Sequence, residues 1–371
     1  MNVPLSVLDL SPISEGSDAA TALRNTVDLA QHAEGWGYRR YWLAEHHFVA
    51  VAGSSPAVLI GQLAAATEQI QVGAAAVQLG YTTAVAVVES FGILDALYPG
   101  RIDLGVGRSG QRRREAAARP KPDRPARPPR TWHETDGVVI PAPFDLTRLL
   151  GNPRLQTRMS VLQQPAANAP DFGDQVADIL AMLDGTYRVD DVEIHAVPGE
   201  RAALWPWVFG SSKGQSARVA AKFGLPFVAS YHITPATALE AIDVYRERFQ
   251  PSAELREPYV VVSADIVVAD DTATAEHLAS SYGNWVHAIR AGDGAVPYPD
   301  PASAEPLTAE QQEIVRDRTA TQFVGDPDQV AHRLDALQRL SGADELVVTS
   351  VTHAHADRLR SHELIAKRWG L

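Results

Sequence analysis

Trp42-Leu43-Ala44-Glu45-His46-His47-Phe48 decides how this chain is read. Its first half is an apolar run that predicts a buried strand over 40–43, and its second half delivers a carboxylate and two imidazoles at the strand's end. Strand ends are where an α/β protein hands polar groups to a pocket. Histidine titrates near neutrality, so it moves protons at working pH. Side chains alternate along a strand, so if the strand extends that far Glu45 and His47 share one face and His46 takes the other.

Outward from this stretch, strand and helix patterns alternate. Upstream, 5–10 reads as a strand, and Ser17 or Asp18 caps a helix in which Leu23, Val27, Ala30 and Ala33 recur at helical spacing. Downstream, Ser55-Pro56 opens a helix, 70–77 is a strand, and Thr82 and Thr83 offer a cap for a helix with Val88, Phe91, Ile93, Leu94 and Leu97 expected inward. Strands follow at 101–107, 205–210, 227–231, 259–268 and 345–349, with helices at 215–223, from 234, at 326–340 and at 362–369. Repeated β-then-α units predict a parallel sheet, and about eight strands favour a (β/α)8 barrel with insertions. The first helix lacks a G-x-G-x-x-G opening, which weakens the open-sheet alternative. The expectation is a single domain spanning 1–371, with two mobile insertions. One is the Arg/Pro-rich segment 111–131 and the other the Gly/Pro/Asp-rich segment 292–306.

Composition narrows the function. The chain has 371 residues, a net charge of -12 and no cysteine. The acidic balance argues against nucleic acid and anionic membrane as partners. The absence of cysteine removes disulfides and thiolate chemistry and is consistent with a cytoplasmic protein. The first ten residues read as a strand rather than a signal peptide, and no apolar run is long enough to span a bilayer.

Three further stretches can carry chemistry, each with a plainer reading beside it. Gly210-Ser211-Ser212-Lys213-Gly214-Gln215-Ser216 lies between a strand and a helix, where free amides and hydroxyls make either a phosphate seat or an ordinary loop. Arg108, after Gly105-Val106-Gly107, is either a phosphate ligand or a surface arginine. Val72-Gly73-Ala74-Ala75-Ala76 has side chains small enough to let a flat ring approach, or simply packs tightly. The His46-His47 and His353/His355 pairs lack a clustered ligand set, so no metal site is expected.

In combination these motifs resemble the bacterial luciferase-like family of flavin-dependent monooxygenases, over 5–110 and again from 205 to the C-terminus. The resemblance implies a (β/α)8 barrel that binds reduced FMN delivered by a separate NAD(P)H:flavin reductase. With O2 it oxygenates an aldehyde or aromatic, polyketide-like substrate through a flavin hydroperoxide. It implies His46 as the catalytic acid/base, with Glu45 beside it. Ala75 and Ala76 stand behind the isoalloxazine, often joined by a cis peptide. Arg108, Gly210, Ser211, Ser212, Gln215 and Ser216 hold the phosphate. A homodimer follows from the same resemblance. Tyr231 and His232 are expected to bind substrate, with Trp132 and Trp285 as further lining. The rival readings are an F420-dependent dehydrogenase of the same fold, a non-catalytic flavin-binding protein and an unrelated phosphate-handling barrel isomerase. The family's usual Ala-Pro-Gly-Thr after the arginine is replaced here by Ser109-Gly110-Gln111 and the Arg/Pro run.

Overall fold

The computed structural model describes residues 3–108, 131–144, 157–158, 160–164, 167, 169–210, 212, 214–292 and 294–371. Eight parallel strands close into a barrel. They are β1 Leu5–Asp9, β2 Arg40–Leu43, β3 Gln71–Ala74, β4 Ile102–Gly107, β5 Trp205–Gly210, β6 Phe227–Ala229, β7 Val260–Val268 and β8 Glu345–Thr349. Each pairs with the next, and β8 closes on β1 with Leu346 opposite Leu5.

Eight helices follow these strands: α1 Ala19–Gly35, α2 Pro56–Ala66, α3 Ala84–Leu97, α4 Phe172–Leu183, α5 Gln215–Phe223, α6 Pro235–Arg248, then α10 Pro327–Ser341 and α11 His355–Trp369. Between β7 and α10 the chain inserts α7 Thr272–Ala279, α8 Tyr282–Ala291 and α9 Ala309–Thr319. Local chemistry explains the helix starts. The Asp18 side chain accepts the Thr21 N–H, and Asp326 with Gln329 forms a complete capping box.

The outer faces of the strands pack on the helices and make the main core. The inner faces stack in layers, as barrel interiors do. The lowest layer is polar. Arg40 bonds Asp103 at 2.7 Å and Glu345 at 3.3 Å, and Glu345 also accepts from Ser6 at 2.5 Å and Tyr259 at 3.1 Å. Above it lies an aromatic plug, with Trp42 and Trp207 ring centroids 5.3 Å apart and Phe209 5.1 Å from Trp42. Both indole N–H groups donate to Asp103.

These large side chains require glycine opposite them. A Cβ on Gly73 would lie 3.0 Å from Trp42 Cδ1, and one on Gly105 would lie 2.6 Å from Phe209 Cε2.

Several expectations are corrected. The 70–77 strand is two pieces, Gln71–Ala74 and Val77–Gln78, separated by a cis Ala75–Ala76 peptide. Ile93 and Leu97 do not face inward on α3 but are 51% and 66% exposed. The last helix starts at His355 rather than 362. The 292–306 segment, expected to be mobile, is tied to the barrel. Tyr298 is fully buried, its N–H donates to the Ile13 carbonyl at 2.8 Å, and its own carbonyl accepts the Glu15 N–H at 2.9 Å. Of the 111–131 insertion, all but Thr131 lies outside the described residues. No helix among the described residues is long and apolar enough to cross a membrane.

Candidate active site

Because inward positions recur every second residue, each strand sends a side chain to the barrel's C-terminal mouth. A cavity of about 300 Å3 opens there. Every strand contributes: Leu8 and Leu10 from the β1 end, Glu45 and His46 after β2, Ala75 and Ala76 after β3, and Gly107 and Arg108 from β4. Phe209 and Gly210 come from β5, Val228 with Ser230 and His232 from β6, Ser263 from β7 and Val347 from β8.

Going around the ring, the cavity has a charged side and an apolar side. The charged side lies at the ends of β4 and β5, where Arg108, Ser212, Gly214, Gln215 and Ser216 line the wall. Helix α5 begins there with Gly214 as its cap, so no cap side chain bonds its first amides. The Gln215 amide instead donates to both oxygens of Asp171 at 2.7 Å, which ties the start of α5 to the start of α4. Ser211 lies outside the described residues. The opposite wall, at β8 and β1, is formed by Val347, Leu8 and Leu10.

His46 stands open to the cavity, while the barrel walls enclose its ring. Burial first, and the neighbouring His47 second, push its pKa down to about 4. Water in the open cavity offsets part of this desolvation, and a ligand that fills the cavity restores it. At neutral pH the ring is therefore an uncharged imidazole, able to take or give a proton at either nitrogen in turn.

Glu45 and His47 do share a side, with Oε1 2.8 Å from Nε2. The second oxygen of Glu45 accepts the Gln78 N–H at 3.0 Å, and the Gln78 side chain donates to the Glu45 carbonyl at 2.6 Å. Glu45 thus spends its acceptor capacity on the loop that carries His46. Its geometry fits holding that loop in place.

The structure brings His46, Glu45, Ala75, Ala76, Arg108, Gly210, Ser212, Gln215, Ser216 and His232 to one cavity. It does not bring Tyr231 there. Tyr231 is fully buried in the outer core, and its hydroxyl donates to the Val139 carbonyl at 2.6 Å. The cavity takes Val228, Ser230, His232 and Ile233 from β6 and the turn after it, while the Tyr231 side chain turns to the outer core. Trp285 is packed in the core of the α7–α9 insertion, and Trp132 lies under the Arg316 guanidinium at 4.4 Å; neither lines the cavity. Sequence reasoning missed Gln78, Ser230 and Ser263. Stepping by two from His232 and from Val261 would have found both serines. Among the described residues no group of three or more His, Asp or Glu is placed to hold a metal ion.

Comparison with known proteins gives the arrangement its context. The sequence model of the luciferase-like monooxygenases matches residues 3–131 and 176–344. A luciferase-like monooxygenase of Escherichia coli (strain K12) is 33% identical, over 98% of this chain and 96% of its own. The N-acetyl-S-alkylcysteine monooxygenase of Bacillus subtilis (strain 168) is 51% identical over 108 residues, which is 29% of this chain and 32% of its own. Among solved structures, apo-MsnO8 superposes with a TM-score of 0.78 at 28% identity, covering 100% of this chain and 98% of its own. Two more distant structures share the fold: a diketocamphane monooxygenase in complex with FMN, at TM-score 0.62, and an F420-dependent secondary alcohol dehydrogenase, at 0.60. With its closed barrel and a cavity built from all eight strand ends, the chain belongs to the luciferase-like monooxygenase family and is an oxidoreductase of the monooxygenase type.

Proposed function

We propose that this monooxygenase uses FMN, and that its phosphate sits on the β4–β5 side of the mouth while its ring lies beside His46. One observation carries the reading: an anion seat, a flat small-residue wall and an imidazole occupy consecutive parts of one cavity rim. The wall is narrow by construction, since a Cβ on Gly107 would come within 3.3 Å of the Ala76 Cβ. Together with the uncapped start of α5, these residues fit a phosphorylated planar ring.

When bound, reduced flavin supplies the electrons that activate O2, so that one oxygen atom enters the substrate and the other leaves as water. The chain's own residues bind, orient and manage protons. Arg108 offers a charge-assisted contact to the phosphate, and Ser212, Ser216 and the α5 amides add donors. Ala75, Ala76 and Gly107 set the plane of the ring. His46, uncharged, accepts or returns the proton that accompanies oxygen transfer. The apolar side, with Leu10, Val228, Ile233 and Val347, excludes water and houses the organic substrate.

A separate NAD(P)H:flavin reductase supplies the reduced cofactor. A second copy of the chain covers Val58, Ile93 and Leu97, which stand exposed on α2 and α3. The substrate is a small organic molecule, either an aldehyde, an aromatic polyketide-like compound or, following the partial relative, an S-alkyl thioether.

The test is oxygen uptake with enzymatically reduced FMN across these three substrate classes. Substrate-dependent uptake with oxygenated product supports the reading. Turnover with F420 and no oxygen uptake replaces it with hydride transfer. Tight flavin binding with no substrate oxidation makes the protein a flavin carrier.

A further inference from the structure

We propose that His232 is a substrate-positioning residue whose tautomer is fixed by Ser263, so that its Nε2 faces the cavity as a hydrogen-bond acceptor and selects substrates carrying a hydroxyl or N–H donor. The inference rests on the monooxygenase cavity described above and deepens it by naming what the cavity selects.

In a ring of eight strands, β2 and β6 stand opposite one another. His46 enters the mouth from the first and His232 from the second. A ligand lying across the mouth from the β4–β5 side therefore has an imidazole on each flank. His46 is claimed by the proposed chemistry; His232 is not.

The hydrogen bonds around His232 decide what it offers. Its Nδ1 lies 2.5 Å from the Ser263 hydroxyl oxygen. That hydroxyl also donates to the Ala229 carbonyl, at 3.4 Å. A hydroxyl carries one proton; we place it on the Ala229 carbonyl, so that Ser263 accepts from His232 Nδ1–H, whereas a proton shared with Nδ1 would give the opposite tautomer. A neutral imidazole has one N–H, which leaves Nε2 with a lone pair. His232 lines the cavity, so this lone pair is the one available to a ligand.

The ring stays neutral for a second, independent reason. Burial first, then the nearby Arg318 cation and His46, push its pKa down to about 3. The nearby carboxylate, Asp265, is bonded to Arg318 at 3.3 Å and to the Tyr282 hydroxyl at 2.5 Å, not to His232. Val228 and Ile233 line the same cavity, together with Ser230 and Ser263. A buried acceptor left without a donor is costly, and that is how such sites discriminate.

Two measurements on the full chain test this, neither requiring cofactor. Long-range proton–nitrogen correlation on histidine-labelled protein reads the tautomer. Expected among the Nδ1–H histidines, which include His32 bonded to the Asp28 carbonyl, is one that disappears in His232→Gln and shifts toward a mixture in Ser263→Ala. An Nε2–H tautomer at His232 in the wild type overturns the proposal. Binding is then measured for paired probes, 4-ethylphenol against 4-ethylanisole and hexanamide against its N,N-dimethyl form. The donor-bearing member is expected to bind about 10-fold tighter. The preference should fall toward unity in His232→Leu and return in His232→Gln, whose amide oxygen replaces the acceptor. A ratio near unity in the wild type, or one unchanged in His232→Leu, overturns it. FMN titrated into the same wild-type sample separates the two claims. Failure to bind FMN removes the flavin reading and leaves the tautomer and donor preference to stand or fall on their own.

Discussion

The N-terminal floor of the barrel and its C-terminal mouth use the same inward-facing positions and are finished in opposite ways. On the floor, Arg40 is held by Asp103, Glu345 and Gln71, stacks on Trp207 with its guanidinium carbon 4.5 Å from the ring centroid, and is 5% exposed. Asp103 in turn takes both indole N–H groups of the aromatic plug. Each charge there is answered by another residue of the protein. At the mouth, the His46 ring has no hydrogen bond to any described residue, the first amides of α5 have no side-chain cap, and His232 spends only one nitrogen. What the difference teaches is a division of labour within one sheet. Strand starts hold a closed ionic network that fixes the scaffold, and strand ends leave polar groups unspent for a ligand.

The comparison can be broken most violently from the floor. Asp103→Ala strands Arg40 and two indoles in the interior, and removing one partner of a buried ion pair costs about 3–5 kcal/mol. Urea unfolding should show that loss. A variant as stable as the wild type would mean the floor network is not structural. At the mouth, His46→Ala should leave unfolding within about 1 kcal/mol of wild type. It should retain FMN binding yet lose about two to four powers of ten in turnover, as for a positioned acid/base. Unchanged turnover would remove His46 from the chemistry.

A smaller effect concerns acid. His232 and His362 are both buried, with pKa values pushed down to about 3, in each case by burial first and a nearby arginine second. A depressed folded-state pKa means the unfolded chain binds more protons between its ordinary value of 6.5 and about 3. Stability from these two groups is therefore full above pH 6.5 and declines as pH falls through that window. The urea midpoint of His362→Gln should fall less steeply below pH 6.5 than that of the wild type; equal slopes would show that His362 is not held neutral.

How far these two ends were legible in the sequence differs. The helix starts were readable because Asp18 and the Asp326–Gln329 box are local signals with a local mechanism. Glu45 and His47 do meet, but not by strand alternation, since the strand ends at Leu43 and Glu45 and His46 both reach the cavity. Of Tyr231 and His232, expected together at the mouth, Tyr231 turned outward. The floor network was invisible, since it joins Arg40 to a glutamate 305 positions away, and no local pattern marks such a pair. The tethering of 292–306 was hidden for the same reason, because Gly/Pro/Asp composition does not encode the pairing of Tyr298 with Ser14. The early start of α11 carries no signal at all, since its cap is Ala354, which has no side-chain bond to offer.

The central claim is that the mouth binds FMN through its phosphate, on the Arg108–Ser212 side. It is tested most directly by titrating wild type and Arg108→Ala with FMN, riboflavin and F420 side by side. The account predicts that FMN binds wild type tightest, that riboflavin binds about 10- to 100-fold more weakly, and that Arg108→Ala narrows this gap, as expected for losing a charged hydrogen bond. Equal binding of FMN and riboflavin, or tighter binding of F420 than of FMN, would contradict it.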